Sequence, residues 1–138
     1  MRFAWIALLI LTLAGCATTP AYNPMQSINR EELLLNQSSF KALVDGMTLD
    51  QVHKIMGDAL VIGYEEQSAN YKPLTIPNPY KSEAIQGTDY FIEYYIDSIR
   101  QPDGFINDSE LMPLIFKNGK LSGRGWPTVN SLRHAKTP

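Results

Sequence analysis

Asn118-Gly119 stands between the run Leu111–Lys117 and the shorter stretch 120–122. Both central positions of a two-residue hairpin need positive φ, which asparagine and glycine adopt at low cost, so this dipeptide predicts an antiparallel turn. Upstream, Tyr90–Ile96 alternates: Tyr90, Ile92, Tyr94 and Ile96 share one side, and Phe91, Glu93 and Tyr95 the other. A period of two over seven residues is a strand with two distinct faces. Residues 59–64 are apolar and β-branched, a third strand that can run on to Gln67. At 44% hydrophobic and 19% charged, the 138 residues suffice for one packed core.

Two helices precede the strands. Asn29 and Glu32 have capping-box spacing, and Leu33, Leu34, Leu35, Phe40 and Leu43 follow, predicting a helix over 30–43. Thr48 and Gln51 repeat that spacing; Leu49, Val52, Ile55 and Met56 fall on one face, and Gly46 and Gly57 bracket a short amphipathic helix. Asp50 in its first turn and Lys54 in its last suit the helix dipole. Residues 68–88, with Pro73, Pro77 and Pro79, read as a long loop, and 101–110 as a second one. The second hairpin arm reads as a fraying end, and 127–138 as a basic tail. The expectation is therefore an α+β domain over 29–126: two N-terminal helices packed on a three-stranded antiparallel sheet.

The first residues predict an address. Arg2 precedes an eleven-residue apolar run, residues 3–13, interrupted only by Thr12. That is the length of a signal-peptide core; a membrane-spanning helix needs about 20 apolar residues. The run ends in Leu13-Ala14-Gly15-Cys16, which resembles the lipobox of bacterial lipoproteins. The resemblance implies cleavage after residue 15, diacylglyceryl and acyl (palmitate) chains on Cys16, and a tether over 16–28. Two or three chains hold a protein durably where one does not. Ala17, in place of the aspartate that retains such proteins at the inner membrane, implies the outer membrane, facing the periplasm. The only cysteine in the chain is then blocked, which excludes a disulfide framework and cysteine catalysis.

The motif Gly46-Met47-Thr48 with Val52, Met56 and Gly57, followed by Leu114-Ile115-Phe116 and the turn Asn118-Gly119-Lys120-Leu121, resembles the SmpA/OmlA (BamE-like) family of outer-membrane lipoproteins. Behind a lipidated N-terminus it spans most of residues 30–122. The resemblance implies a non-catalytic protein that binds a protein partner, as an accessory of outer-membrane β-barrel assembly.

The chemistry-bearing residues are few. A net charge of −2 excludes a general phosphate-binding surface and, with it, nucleic acid. His53 reads as a half-buried or surface side chain and His134 as part of the tail. Counting from Asp103, an EF-hand loop needs glycine at position six and glutamate at twelve; Asp108 and Leu114 stand there, leaving an acidic turn. No phosphate-cradling loop, dinucleotide fingerprint or nucleophile elbow occurs, so no cofactor, metal or catalytic residue is expected. Aromatic residues, by contrast, cluster. Phe91, Tyr95, Tyr71 and Tyr80 are the candidate partner-binding residues, since tyrosine is enriched at protein interfaces. The rival reading is a small-ligand pocket or active site under the 68–88 loop, with Glu93 converging on Lys72 or Lys81.

Overall fold

The computed structural model describes residues 30–67, 70–100 and 105–135. The expected signal peptide, Cys16 and tether lie outside them. The elements are α1 (Arg30–Ala42), α2 (Leu49–Met56), β1 (Ala59–Gln67), β2 (Asn70–Pro77), β3 (Lys81–Ala84), β4 (Tyr90–Ile96), a 3₁₀ turn (Asp108–Glu110), β5 (Leu111–Lys117), β6 (Lys120–Arg124) and α3 (Trp126–His134). β1 and β2 form a two-stranded antiparallel ribbon, and β3-β4-β5-β6 a four-stranded sheet in that order.

The local signals that predict α2 are all realised. The Thr48 side chain accepts from the Gln51 N–H, the Gln51 side chain returns a bond to the Thr48 N–H, and Gly57 closes the helix at φ 76°. Asn118 and Gly119 take φ 51° and 72°, turning β5 into β6.

The sheet differs from the expected one in strand number and in what covers it. The predicted loop contains β2 and β3. Pro73 and Pro77 sit in the ribbon opposite Tyr64 and Ala59; a two-stranded ribbon has two free edges, so a missing N–H costs no ladder bond there. The predicted fraying arm is the full strand β6. The predicted tail folds as α3, with Gly125 as N-cap at φ 85° and a proline in the first turn, where its missing N–H would be unpaired anyway. Over the described residues the fold is α+β, with three helices and two sheets in place of two helices on three strands.

Helices flank the four-stranded sheet on both sides. On one, Tyr95, Leu114, Phe116 and Leu121 pack with Phe40 and Leu43 at the end of α1 and with Val52 and Met56 of α2. On the other, Ile92, Tyr94, Ile96 and Ile115 pack with Val129 of α3 and with Leu60 at the base of the ribbon. The alternation of β4 is thus an alternation between two cores, and no side of that strand is left to solvent.

Candidate functional site

Polar side chains tie these layers together. Glu93 points from β4 toward α2 with its side chain 4% exposed. Its oxygens lie 2.8 and 3.0 Å from His53 Nε2 and accept a 2.7 Å bond from the Tyr95 hydroxyl. The carboxylate can only accept, so Nε2 carries the hydrogen. His53 is half-buried, in line with its sequence reading, and pins α2 to the sheet. Nearby, Asn78 donates to Asn36 Oδ1 (3.2 Å) and to the Met56 carbonyl (2.8 Å), while Asn36 donates to the Ile96 carbonyl (2.6 Å). Those bonds join α1, α2 and the start of β3's approach to β4.

Opposite, the Tyr94 hydroxyl donates to Glu83 Oε1 (2.6 Å), which also accepts from Arg133 of α3 (2.6 Å). Lys81 pairs with Asp108 at 2.7 Å and stands over the Tyr94 ring, which packs against Trp126 at 5.4 Å. Glu110 is fully buried and accepts from the Arg100 N–H and from Asn107, so the acidic turn closes on itself. Among the described residues no three His, Cys, Asp or Glu side chains converge to hold a metal.

The sequence-predicted recognition residues are not gathered on one open face. Tyr95 is fully buried and serves the core, a correction that follows from α1 and α2 covering its side of the sheet. Phe91 is half-buried against the same core and Phe116. Tyr80 is half-buried on the opposite side, beside Tyr94 and the ribbon base. The side chain of Tyr71 lies outside the described residues. Nor does Glu93 converge on Lys72 or Lys81: His53 and Tyr95 occupy it, and Lys81 belongs to the other side with Asp108. Among the described residues the large apolar side chains left exposed are Leu34 (53% exposed), Leu35 (61%) and Val44 (61%) on and just after α1, with Tyr64 on the ribbon and Phe105. The sequence carries a signal for the first two: in α1 they lie on the side away from Asn36 and Phe40.

Burial pushes the Tyr95 phenol far above its usual value, and Glu93 and Asp58 add to the shift; Tyr94 is raised likewise by burial and by Glu83. Glu83 is held below the ordinary carboxylate range, chiefly by the Tyr94 hydroxyl and then by Arg133. The signs fix the pH behaviour. The unfolded chain releases both phenol protons near pH ~10 while the folded chain keeps them, so stability falls as pH rises past that point. The contribution of Glu83 is present above its unfolded value and is lost as pH falls through its lowered folded value. Urea midpoints measured from pH 7 to 11 are expected to fall, with a shallower fall for Tyr95→Phe. Phenolate absorbance that rises for all tyrosines near pH ~10 in a still-folded chain would contradict the assignment.

Set against known protein families, curated proteins and solved structures, the chain has no match in any of the three comparisons.

Proposed function

We propose that this chain is a non-catalytic envelope lipoprotein. Lipid on Cys16 anchors it to the outer membrane on the periplasmic side, and its α+β domain binds a protein partner as an accessory of β-barrel assembly. The observation that carries the reading is the eleven-residue apolar run ending in Leu13-Ala14-Gly15-Cys16. The partner-binding half is supported by the way the polar clusters are spent. His53, Glu93, Tyr95, Glu83 and Arg133 hold one element to another, while Leu34 and Leu35 are presented outward on α1. Confinement to a membrane surface raises the effective concentration of such a domain near membrane-bound partners, so a modest contact area suffices.

The test uses the full chain, tagged at the C-terminus and expressed in a Gram-negative host. Wild type is expected to incorporate labelled palmitate and to fractionate with the outer membrane, and Cys16→Ser to do neither. A photo-crosslinking residue in place of Leu35 is expected to give a discrete adduct containing a barrel-assembly component. Unlabelled, soluble wild-type protein would overturn the anchoring, and a chain that localises correctly but gives no adduct would overturn the partner reading.

A further inference from the structure

The two edges of the four-stranded sheet are treated differently. The edge of β6 is closed by the segment between α1 and α2. The Gly46 N–H donates to the Leu121 carbonyl (2.7 Å), the Leu121 N–H to Met47 (2.7 Å), and the Leu49 N–H to Gly119 (3.2 Å). At the other edge, β3 pairs with β4 in the register Lys81↔Tyr94 through Ala84↔Phe91, and the Ile85 N–H continues it to the Tyr90 carbonyl. In an antiparallel ladder this phase turns the backbone groups of Lys81, Glu83 and Ile85 toward β4 and those of Ser82 and Ala84 outward. Ser82 and Ala84 are exposed, and among the described residues no hydrogen bond closes their outward groups.

The same edge leads into a cavity. Ile85, Thr88, Tyr90, Leu132 and Ala135 line a space of about 140 Å³ between the β3–β4 turn and the last turn of α3. An apolar cavity near ~150 Å³ accepts a benzene ring, so this one is matched to a single leucyl- or phenyl-sized group. Lys81, Glu83 and Ile85 share the side of the strand that faces this space, so a strand laid against β3 meets, in order, a positive charge, a negative charge and an apolar recess. Lys81 and Glu83 keep 45% and 41% of their side chains exposed while paired to Asp108 and Arg133, which leaves both reachable by a newcomer.

We propose that β3 is an acceptor edge for an extended segment of a partner protein. The segment adds antiparallel to β3, bonds to the outward groups of Ser82 and Ala84, and carries Leu-x-Lys-x-Glu in its own direction. Its glutamate meets Lys81, its lysine meets Glu83, and its leucine fills the cavity beyond Ile85. The proposal rests on the partner-binding reading above and names the surface for it. A second copy of this chain is a poorer occupant: the register that satisfies Ser82 and Ala84 together sets the two Glu83 carboxylates face to face, and like charges directly opposite are destabilising.

The test is titration of the full chain in detergent micelles with the nonapeptide Thr-Thr-Leu-Thr-Lys-Thr-Glu-Thr-Thr, followed by backbone-amide NMR. The amides of Ser82 and Ala84 are expected to shift and to exchange at least about tenfold more slowly. Replacing the peptide leucine by alanine is expected to weaken binding about tenfold. Ser82→Pro removes an outward donor that the sheet does not use, so it is expected to abolish binding and leave near-UV circular dichroism unchanged. A peptide N-methylated on the amides facing β3 is expected not to bind wild type, which tests the edge without altering the protein. Shifts centred elsewhere, or binding indifferent to N-methylation and to the leucine, would overturn the proposal. Slowed exchange at Ser82 and Ala84 with no peptide, growing with protein concentration, would assign the edge to self-pairing and also overturn it. A Leu35 adduct that persists in Ser82→Pro would leave the partner reading standing while the edge assignment failed.

Discussion

His53→Ala is expected to lower the unfolding free energy by about 2–3 kcal/mol, a large loss for a half-exposed side chain. Removing the donor to a buried hydrogen-bonded acceptor leaves that acceptor unsatisfied and costs about 1–3 kcal/mol, more when it is charged. Here the acceptor is Glu93, 4% exposed in the sheet, whereas the histidine is 32% exposed. Both Glu93 oxygens lose the imidazole donor, and water entering the vacated site recovers part of the loss, which keeps the estimate at about 2–3 kcal/mol. Glu93→Gln should cost only about 1 kcal/mol, since the amide oxygen still accepts from His53 and Tyr95 and no buried charge remains. In the double variant the removal of the histidine finds no carboxylate to strand, so the two effects should fall short of additivity by about 1 kcal/mol or more. Urea unfolding of the four proteins measures all of this. A His53→Ala loss within ~0.5 kcal/mol of zero, the usual size for an inert surface change, would show that the contact with Glu93 is incidental.

How far the chain is legible from its sequence follows the range of the forces involved. α2, β4, β5 and the Asn118-Gly119 turn rest on capping, alternation and backbone preference within a few residues, and each appears as expected. β2 and β3 are set by pairing with β1 and β4; Pro73 and Pro77 of β2 argue for a loop in the sequence alone, yet a ribbon with free edges accommodates them. α3 has a weak apolar pattern of its own, and its burial comes from Trp126, Val129 and Leu132 meeting a sheet face supplied by other elements. Gly125-Trp126-Pro127 was the available signal, a glycine cap followed by proline in the first turn. The side of β4 that the helices cover is not legible from alternation alone: Phe91 and Tyr95 read as a recognition surface, but theirs is the side that α1 and α2 cover, and α3 covers the other. Glu93 was legible as an odd residue in an apolar strand, but not His53 as its partner, 40 positions away.

A chain ending at Arg124 is expected to lose cooperative folding. Val129 is fully buried, and Trp126 and Leu132 pack beside it on the side of the sheet that carries Ile92, Tyr94 and Ile115. Full burial of a large apolar side chain contributes about 1.5–3 kcal/mol; with Val129 fully and Trp126 and Leu132 partly buried, the three amount to roughly 3–6 kcal/mol, a large share of the whole stability of a small domain at about 5–15 kcal/mol. The Trp126 Nε1–H bond to the Leu111 carbonyl (2.9 Å) and the Arg133 pairing to Glu83 are lost as well. The expected product retains far-UV signal, binds a hydrophobic dye and shows no sigmoidal urea transition. Val129→Ala isolates the packing component at roughly 2 kcal/mol and leaves the rest of the helix in place. If instead the truncated chain unfolded at the wild-type midpoint, α3 would be a removable cover, and the side of the sheet bearing Tyr94 could open to a ligand or partner. The two outcomes therefore separate a sheet whose aromatic residues are structural, with recognition left to an open edge and to α1, from one that keeps a recognition face under a detachable helix.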